Sequence, residues 1–225
     1  MREEGAAADA DGYIEEAIKL RAGEDDATNG ILTLPEGEGP FPAVVMVHGS
    51  GPSDMDESAY ACAPFRDIAH GLARLGVASI RYDKYTYAHP ENCLRTDFTV
   101  DDEYTRDALD AAALLMEDAR IADLYLLGHS QGAMLAPRIM AAMQTEVGER
   151  LRGGVLLAGS PLPMWEIQYH QNLDVLKTLS GEALAGDKAA RDGAFDKDAI
   201  EGVANAIIEV ANEGVQVGIV VGGGN

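Results

Sequence analysis

Cationic residues are scarce in this chain: 17 Lys and Arg stand against 38 Asp and Glu, a net charge of −21 over 225 residues. Such a surface repels phosphate backbones and anionic lipid headgroups, so neither nucleic acid nor a membrane surface is an expected partner. The acidity reads as a solvated, soluble exterior. There are only two cysteines, Cys62 and Cys93, without metal-ligand spacing, and they read as free thiols. No metal or cofactor is therefore expected. No apolar run reaches the roughly eighteen residues that a membrane span requires. The polar start Met1-Arg2-Glu3-Glu4-Gly5 leads into no apolar segment, so no signal peptide is read and the cytoplasm is the expected compartment. Histidine is scarce as well: there are five, and His170 alone follows residue 130.

What is present suffices for one sizeable core, since 47% of the residues are hydrophobic. Residues 1–12 are rich in Ala, Asp and Gly and read as a disordered N-terminus. Ile14–Leu20 and Gly30–Leu34 alternate apolar with polar, the pattern of an antiparallel pair at a sheet edge. Ala43-Val44-Val45-Met46-Val47 is apolar throughout, as a strand covered on both faces must be. It runs into the glycine-rich His48-Gly49-Ser50-Gly51-Pro52, at the carboxyl edge where open α/β sheets place their sites. A helix over Phe65–Leu75 stopped at Gly76, a strand over Val77–Tyr82, and a helix after the capping signal Thr99-Val100-Asp101-Asp102 follow. In that last helix Tyr104, Ala108, Ala111 and Leu115 recur at helical spacing and mark a buried face. Strand and helix alternate with short links, which predicts an α/β doubly wound, mostly parallel sheet.

The organising stretch is Asp123 to Ala136. An apolar strand meets Gly128-His129-Ser130-Gln131-Gly132, and a helical pattern running to about Met143 follows at once. A Gly-x-Ser-x-Gly pentapeptide on a strand-to-helix turn is the context of a nucleophile elbow. The glycines let backbone meet backbone at the sharp turn. Ser130 is pushed out beyond the strand, and the amide of Gln131 lies at the positive end of a helix. The bland alternative is a glycine-rich turn whose serine only caps the helix. A further buried strand, Gly154–Ala158, ends in Gly159-Ser160-Pro161.

Taken in order, His48-Gly49-Ser50-Gly51-Pro52, Arg81-Tyr82-Asp83-Lys84, the Ser130 pentapeptide and Ala158-Gly159-Ser160-Pro161 resemble the α/β-hydrolase family. The likeness is to bacterial serine esterases related to dienelactone hydrolases and prolyl-oligopeptidase-type domains, and it covers about Tyr13 to Leu173. It implies a hydrolase core over 13–174, incomplete at its C-terminal end, and hydrolysis of small carboxylic esters through an acyl-enzyme. Ser130 matches the nucleophile, and the amides of Ser50 and Gln131 match the oxyanion hole, whose donors face the charge that develops on the tetrahedral intermediate. His48 and His129 are expected to be hydrogen-bonded beneath the site. Asp83 and Lys84 are expected to hold the sheet edge rather than touch substrate.

In this fold an acid and then a histidine follow the serine. Here the one histidine that follows is His170, in the helix-like Met164-Trp165-Glu166-Ile167-Gln168-Tyr169-His170, which reads as the start of a cap and makes His170 a cap residue before a general base. The triad acid and base are thus not in this chain, and activity is expected to be impaired. A non-catalytic α/β module binding a ligand beneath Trp165 is an alternative.

The segment 175–225 resembles a different family. Val175-Leu176-Lys177-Thr178-Leu179-Ser180-Gly181 and, after a helical pattern, Gly214–Asn225 with its triple glycine look like the opening of bacterial uridylate kinases, of the amino-acid kinase family. The resemblance implies phosphate contacts at Ser180, Gly181, Gly223 and Gly224, where a missing Cβ lets N–H groups reach oxygens. Thr178 stands at the family's lysine position, with Lys177 one place early. A foreign, kinase-like C-terminal segment, making the chain a chimera, is the favoured expectation. The competing one is that Val215–Val221 is the hydrolase's own next strand, with Asn225 at the place of its acid.

Overall fold

In this computed structural model residues 12–163, 166–167 and 169–173 and the strand at 216–220 are described. Seven strands form one sheet: β1 (Tyr13–Leu20), β2 (Thr28–Pro35), β3 (Phe41–Val47), β4 (Ala78–Tyr82), β5 (Ile121–His129), β6 (Leu151–Leu157) and β7 (Gln216–Val220). Their order is β1-β2-β4-β3-β5-β6-β7. The first three neighbours pair antiparallel and the rest parallel, from β4 through β7. The expected edge hairpin is therefore present, and so is the mostly parallel doubly wound sheet.

The central strands are apolar throughout because helices cover both faces. Side chains alternate across a strand, so Val45 and Val47 join Leu124, Leu126, Ala108, Ala111, Leu115, Ala136 and Met140 on one side. Val44 and Met46 face the other way, onto Phe65, Ala69 and Leu127. The first layer is filled by α3 (Arg106–Met116) and α4 (Gln131–Val147), the second by α1 (Pro64–Arg74), and the one-turn α2 (Tyr85–Ala88) follows β4. Phe65 is fully buried, worth about 2–3 kcal/mol against exposure.

The capping signal before α3 is realised: the Thr99 N–H and hydroxyl donate to the Asp102 carboxylate (2.8 and 2.6 Å), and the Asp102 N–H donates to the Thr99 hydroxyl (3.4 Å). A wider π turn, Asp101–Thr105, intervenes before the regular helix. Tyr104, Ala108, Ala111 and Leu115 are all buried, as their spacing predicts. Helix α4 runs four residues beyond Met143, to Val147.

At the far side β7 lies parallel beside β6, with Val155 opposite Gly218 and Leu157 opposite Val220. The strand thus occupies the place of the next strand of the same sheet.

Candidate active site

Register brings the two motif loops together. Val47 is opposite Gly128 across the β3–β5 pair, so the chain leaving β3 runs alongside the chain leaving β5. The Ser130 N–H continues the ladder, donating to the Leu157 carbonyl at 2.9 Å. Ser130 then turns sharply, with φ 51° and ψ −114°, and α4 begins at Gln131. A non-glycine residue in that region is strained, and such strain concentrates at functional sites.

Both glycines of the pentapeptide are sterically required. A Cβ on Gly128 would lie 2.4 Å from the Gly132 carbonyl oxygen, and one on Gly132 would lie 2.4 Å from that of His48. On Gly49 it would come within 3.2 Å of the Ser130 Cβ, so the loop after β3 presses against the elbow. Ser50 follows, exposed, and Gln131 is half-buried on the first turn of α4. Among the described residues neither the Ser50 nor the Gln131 N–H donates to a protein acceptor. For Gln131 this is what a helix N-terminus leaves over. The loop after β3 and the first turn of α4 therefore meet at Ser130, and among the described residues the Ser50 and Gln131 N–H groups are left without a protein acceptor.

The loop is held by charge. The Glu57 carboxylate accepts the Gly49 N–H at 2.7 Å with one oxygen and lies 2.8 Å from His129 Nδ1 with the other, as an ion pair whose ring N–H is off-line. Glu57 holds the His129 imidazole above its usual pKa. His129 is half-buried beside the elbow rather than enclosed beneath it. His48 is enclosed as expected: it is buried, its Nε2 is 3.1 Å from the Asp54 carbonyl, and burial pushes its pKa down to about 4.

The Arg81-Tyr82-Asp83-Lys84 motif has a second job besides the one expected. Arg81 Nε donates to Asp56 (2.8 Å), Asp83 accepts the Met55 N–H (2.9 Å), and the Lys84 N–H donates to the Ser53 carbonyl (3.0 Å). Lys84 Nζ, buried, donates to the carbonyls of Gly49 (2.8 Å) and Gly51 (3.0 Å), and contacts the Tyr104 hydroxyl (2.6 Å) and Glu103 (2.7 Å). Burial lowers the pKa of Lys84 and raises that of Tyr104. The motif thus clamps the loop after β3 and also holds the sheet edge: Arg81 donates to Glu15 of β1 (2.8 Å) and Thr33 of β2 (2.6 Å), and the Asp83 N–H donates to the Asn29 carbonyl (2.8 Å). Glu57 and Tyr104 were not identifiable as site residues from sequence; the only hint was a tyrosine on a buried face, whose hydroxyl must find a partner.

His170 lies on helical residues 169–173, exposed, 3.9 Å from Glu166. Among the described residues no side chain takes the Ser130 hydroxyl in a hydrogen bond, and no group of three His, Cys, Asp or Glu is arranged for a metal. Trp165, Lys177, Thr178, Ser180, Gly181, Gly223 and Gly224 lie outside the described residues, and with them the phosphate contacts expected of the tail.

A family model described as "Alpha/beta hydrolase family" matches residues 44–212. The chain belongs to the alpha/beta hydrolase family. Esterase EstD of Thermotoga maritima is 40% identical over 167 residues, 73% of this chain and 38% of the esterase. The chain thus spans well under half of that relative's length. A dienelactone hydrolase from Anabaena variabilis shares the fold, with a TM-score of 0.55 and 19% identity over 93% of this chain and 87% of that one. Uridylate kinase of Streptococcus thermophilus is 47% identical over 51 residues, 23% of this chain and 20% of the kinase. Fifty-one residues is also the length of the stretch 175–225. The family match runs past the start of that stretch, and the β7 strand within it is seated in the hydrolase sheet.

Proposed function

We propose that this chain is a serine hydrolase acting on small carboxylic esters, with Ser130 as nucleophile and the amides of Ser50 and Gln131 as the oxyanion hole. The observation that carries this reading is the strained Ser130 (φ 51°) on a turn whose glycines touch backbone, with two nearby N–H groups that have no acceptor among the described residues. In the reaction the Ser130 oxygen attacks the ester carbonyl, the two amides receive the oxyanion, and the alcohol departs to leave an acyl-serine that water cleaves. A base must take the serine proton, and on this reading His170, exposed and 3.9 Å from Glu166, is a cap residue and not that base. Turnover by this chain is accordingly slow: an oxyanion hole and binding without a triad retain about 10³ to 10⁴-fold acceleration over water. The reading puts the reaction in the cytoplasm and needs no cofactor.

A fluorophosphonate probe tests it. Labelling confined to Ser130, slow and abolished in Ser130→Ala, is expected; no labelling, or labelling that persists in Ser130→Ala, overturns the assignment. Fast turnover of p-nitrophenyl acetate lost on His170→Ala would instead make His170 the base.

The likeness to uridylate kinase favours a second reading for 175–225, a foreign nucleotide-binding segment in a chimeric chain. ATP or UTP titration decides: a Kd above about 1 mM, under ~4 kcal/mol of binding, removes it. A non-catalytic module would bind esters and leave them intact.

A further inference from the structure

The Gly49 carbonyl and the Ser50 N–H belong to one peptide group, which is planar and trans, so the two point in opposite directions. Whatever holds the carbonyl aims the N–H. The carbonyl is held twice, by Lys84 Nζ at 2.8 Å and by the Tyr104 hydroxyl at 3.0 Å. Lys84 also takes the Gly51 carbonyl at 3.0 Å, so two carbonyls two residues apart turn toward one ammonium and Ser50 is left at the outside of the bend. Gly51, at φ 81°, permits that bend. The Tyr104 hydroxyl has one proton to donate and shares it between that carbonyl and Gln131 Oε1, 2.9 Å away, so it lies between the residues of both oxyanion amides. Glu103, 2.7 Å away, supplies the counter-charge that lets an ammonium stay buried there.

We propose that Lys84 and Tyr104 are the positioning residues of the oxyanion hole: by drawing the Gly49 carbonyl to one side they aim the Ser50 N–H at the carbonyl oxygen of an ester on Ser130. The inference rests on the esterase reading above. Neither side chain touches the ester; both act through the peptide group. The ammonium also polarises that peptide, strengthening its N–H as a donor. The later part of the loop is held without Lys84 Nζ, because Arg81, Asp83 and the Lys84 backbone bond Asp56, Met55 and Ser53. What Lys84 Nζ and Tyr104 add is the orientation of the Gly49–Ser50 peptide plane, with Lys84 also fixing the Gly51 carbonyl.

The test uses the full chain with Lys84→Met, which keeps the stem and removes the ammonium, and Tyr104→Phe, which removes one hydroxyl. Losing an oxyanion donor outright costs about 10²–10³ in rate, so misaiming one is expected to slow fluorophosphonate labelling of Ser130 about 10–100-fold in Lys84→Met and less in Tyr104→Phe. With p-nitrophenyl acetate the loss is expected in kcat, with KM changed less than about twofold. The distinguishing readout is amide NMR of the phosphonylated chain. In the unmodified sequence the Ser50 and Gln131 amide protons both move downfield on adduct formation; in Lys84→Met only Gln131 does. Unchanged labelling with a normal Ser50 shift overturns the positioning role and leaves the esterase reading standing. No labelling of the unmodified chain overturns both. Should Lys84→Met fail to fold, Tyr104→Phe decides by the same two readouts.

Discussion

Gly132 and His48 touch through their backbones: a Cβ on the glycine would lie 2.4 Å from the histidine's carbonyl oxygen and 2.5 Å from that of Val47. Helix α4 is thus docked on the end of β3 with no room for a methyl group, and this contact sets the loop after β3 against Ser130.

Replacing Gly132 with alanine is expected to cost about 3 kcal/mol, at the upper end of overpacking, because the obstructing atoms are backbone. Gly71 of α1 is the control. It has nothing within 4 Å of an added Cβ, and Gly71→Ala should gain about 1 kcal/mol from helix propensity. Urea unfolding of both variants checks the pair; a Gly132→Ala chain as stable as the original would show that the contact yields.

Ser130 is held at positive φ at its own expense. Ser130→Gly relieves the strain and is expected to exceed Ser130→Ala in stability by about 1 kcal/mol, while both lose probe labelling. Equal stabilities in denaturant would mean the turn is not strained.

The buried His48 makes stability depend on pH. Its folded pKa of about 4 lies below the ordinary value of 6.5, so between these limits the unfolded chain binds the extra proton. Stability is full above about pH 6.5 and falls as pH drops toward 4, by up to about 3 kcal/mol from this residue. The whole-chain curve also carries the relief of acidic self-repulsion, so the quantity to measure is the difference between the original and His48→Gln. That difference is expected to shrink as pH falls through the window, and a constant difference refutes it.

Arg21 holds the start of the β1–β2 turn to α3. Its guanidinium, 5% exposed, pairs with Asp107 at 2.7 Å and with Asp110, and donates to the Thr28 hydroxyl at 3.0 Å. Arg21→Met leaves the buried Asp107 without its counter-charge and is expected to cost about 3–5 kcal/mol. Asp110→Asn, at a carboxylate one-third exposed, should cost less than about 1 kcal/mol. Thermal unfolding of the two variants measures the contrast; similar losses would mean that burial of Asp107 does not govern the pair.

Much of the site was legible where chemistry and chain order coincide. The Ser130 pentapeptide, the strand before it and the helix after it are neighbours in sequence, so composition and periodicity sufficed to place them. The buried face of α3 and the Thr99–Asp102 cap were readable for the same reason. The clamp on the oxyanion loop was not, because its parts are far apart: 35 residues separate Lys84 from Gly49, and 55 separate Tyr104 from it. Nor does anything near Glu57 in sequence signal that its carboxylate joins Gly49 to His129.

By itself the sequence determined the alternation of strands and helices, the serine at the sharp turn and the shortage of histidine after it, since hydrophobic period, glycine sterics and residue type are local properties. Only the tertiary structure decided which side chains hold the loop beside that serine and where the strand at 216–220 sits, since strand register and buried charge pairing depend on surfaces that meet only after the sheet has formed.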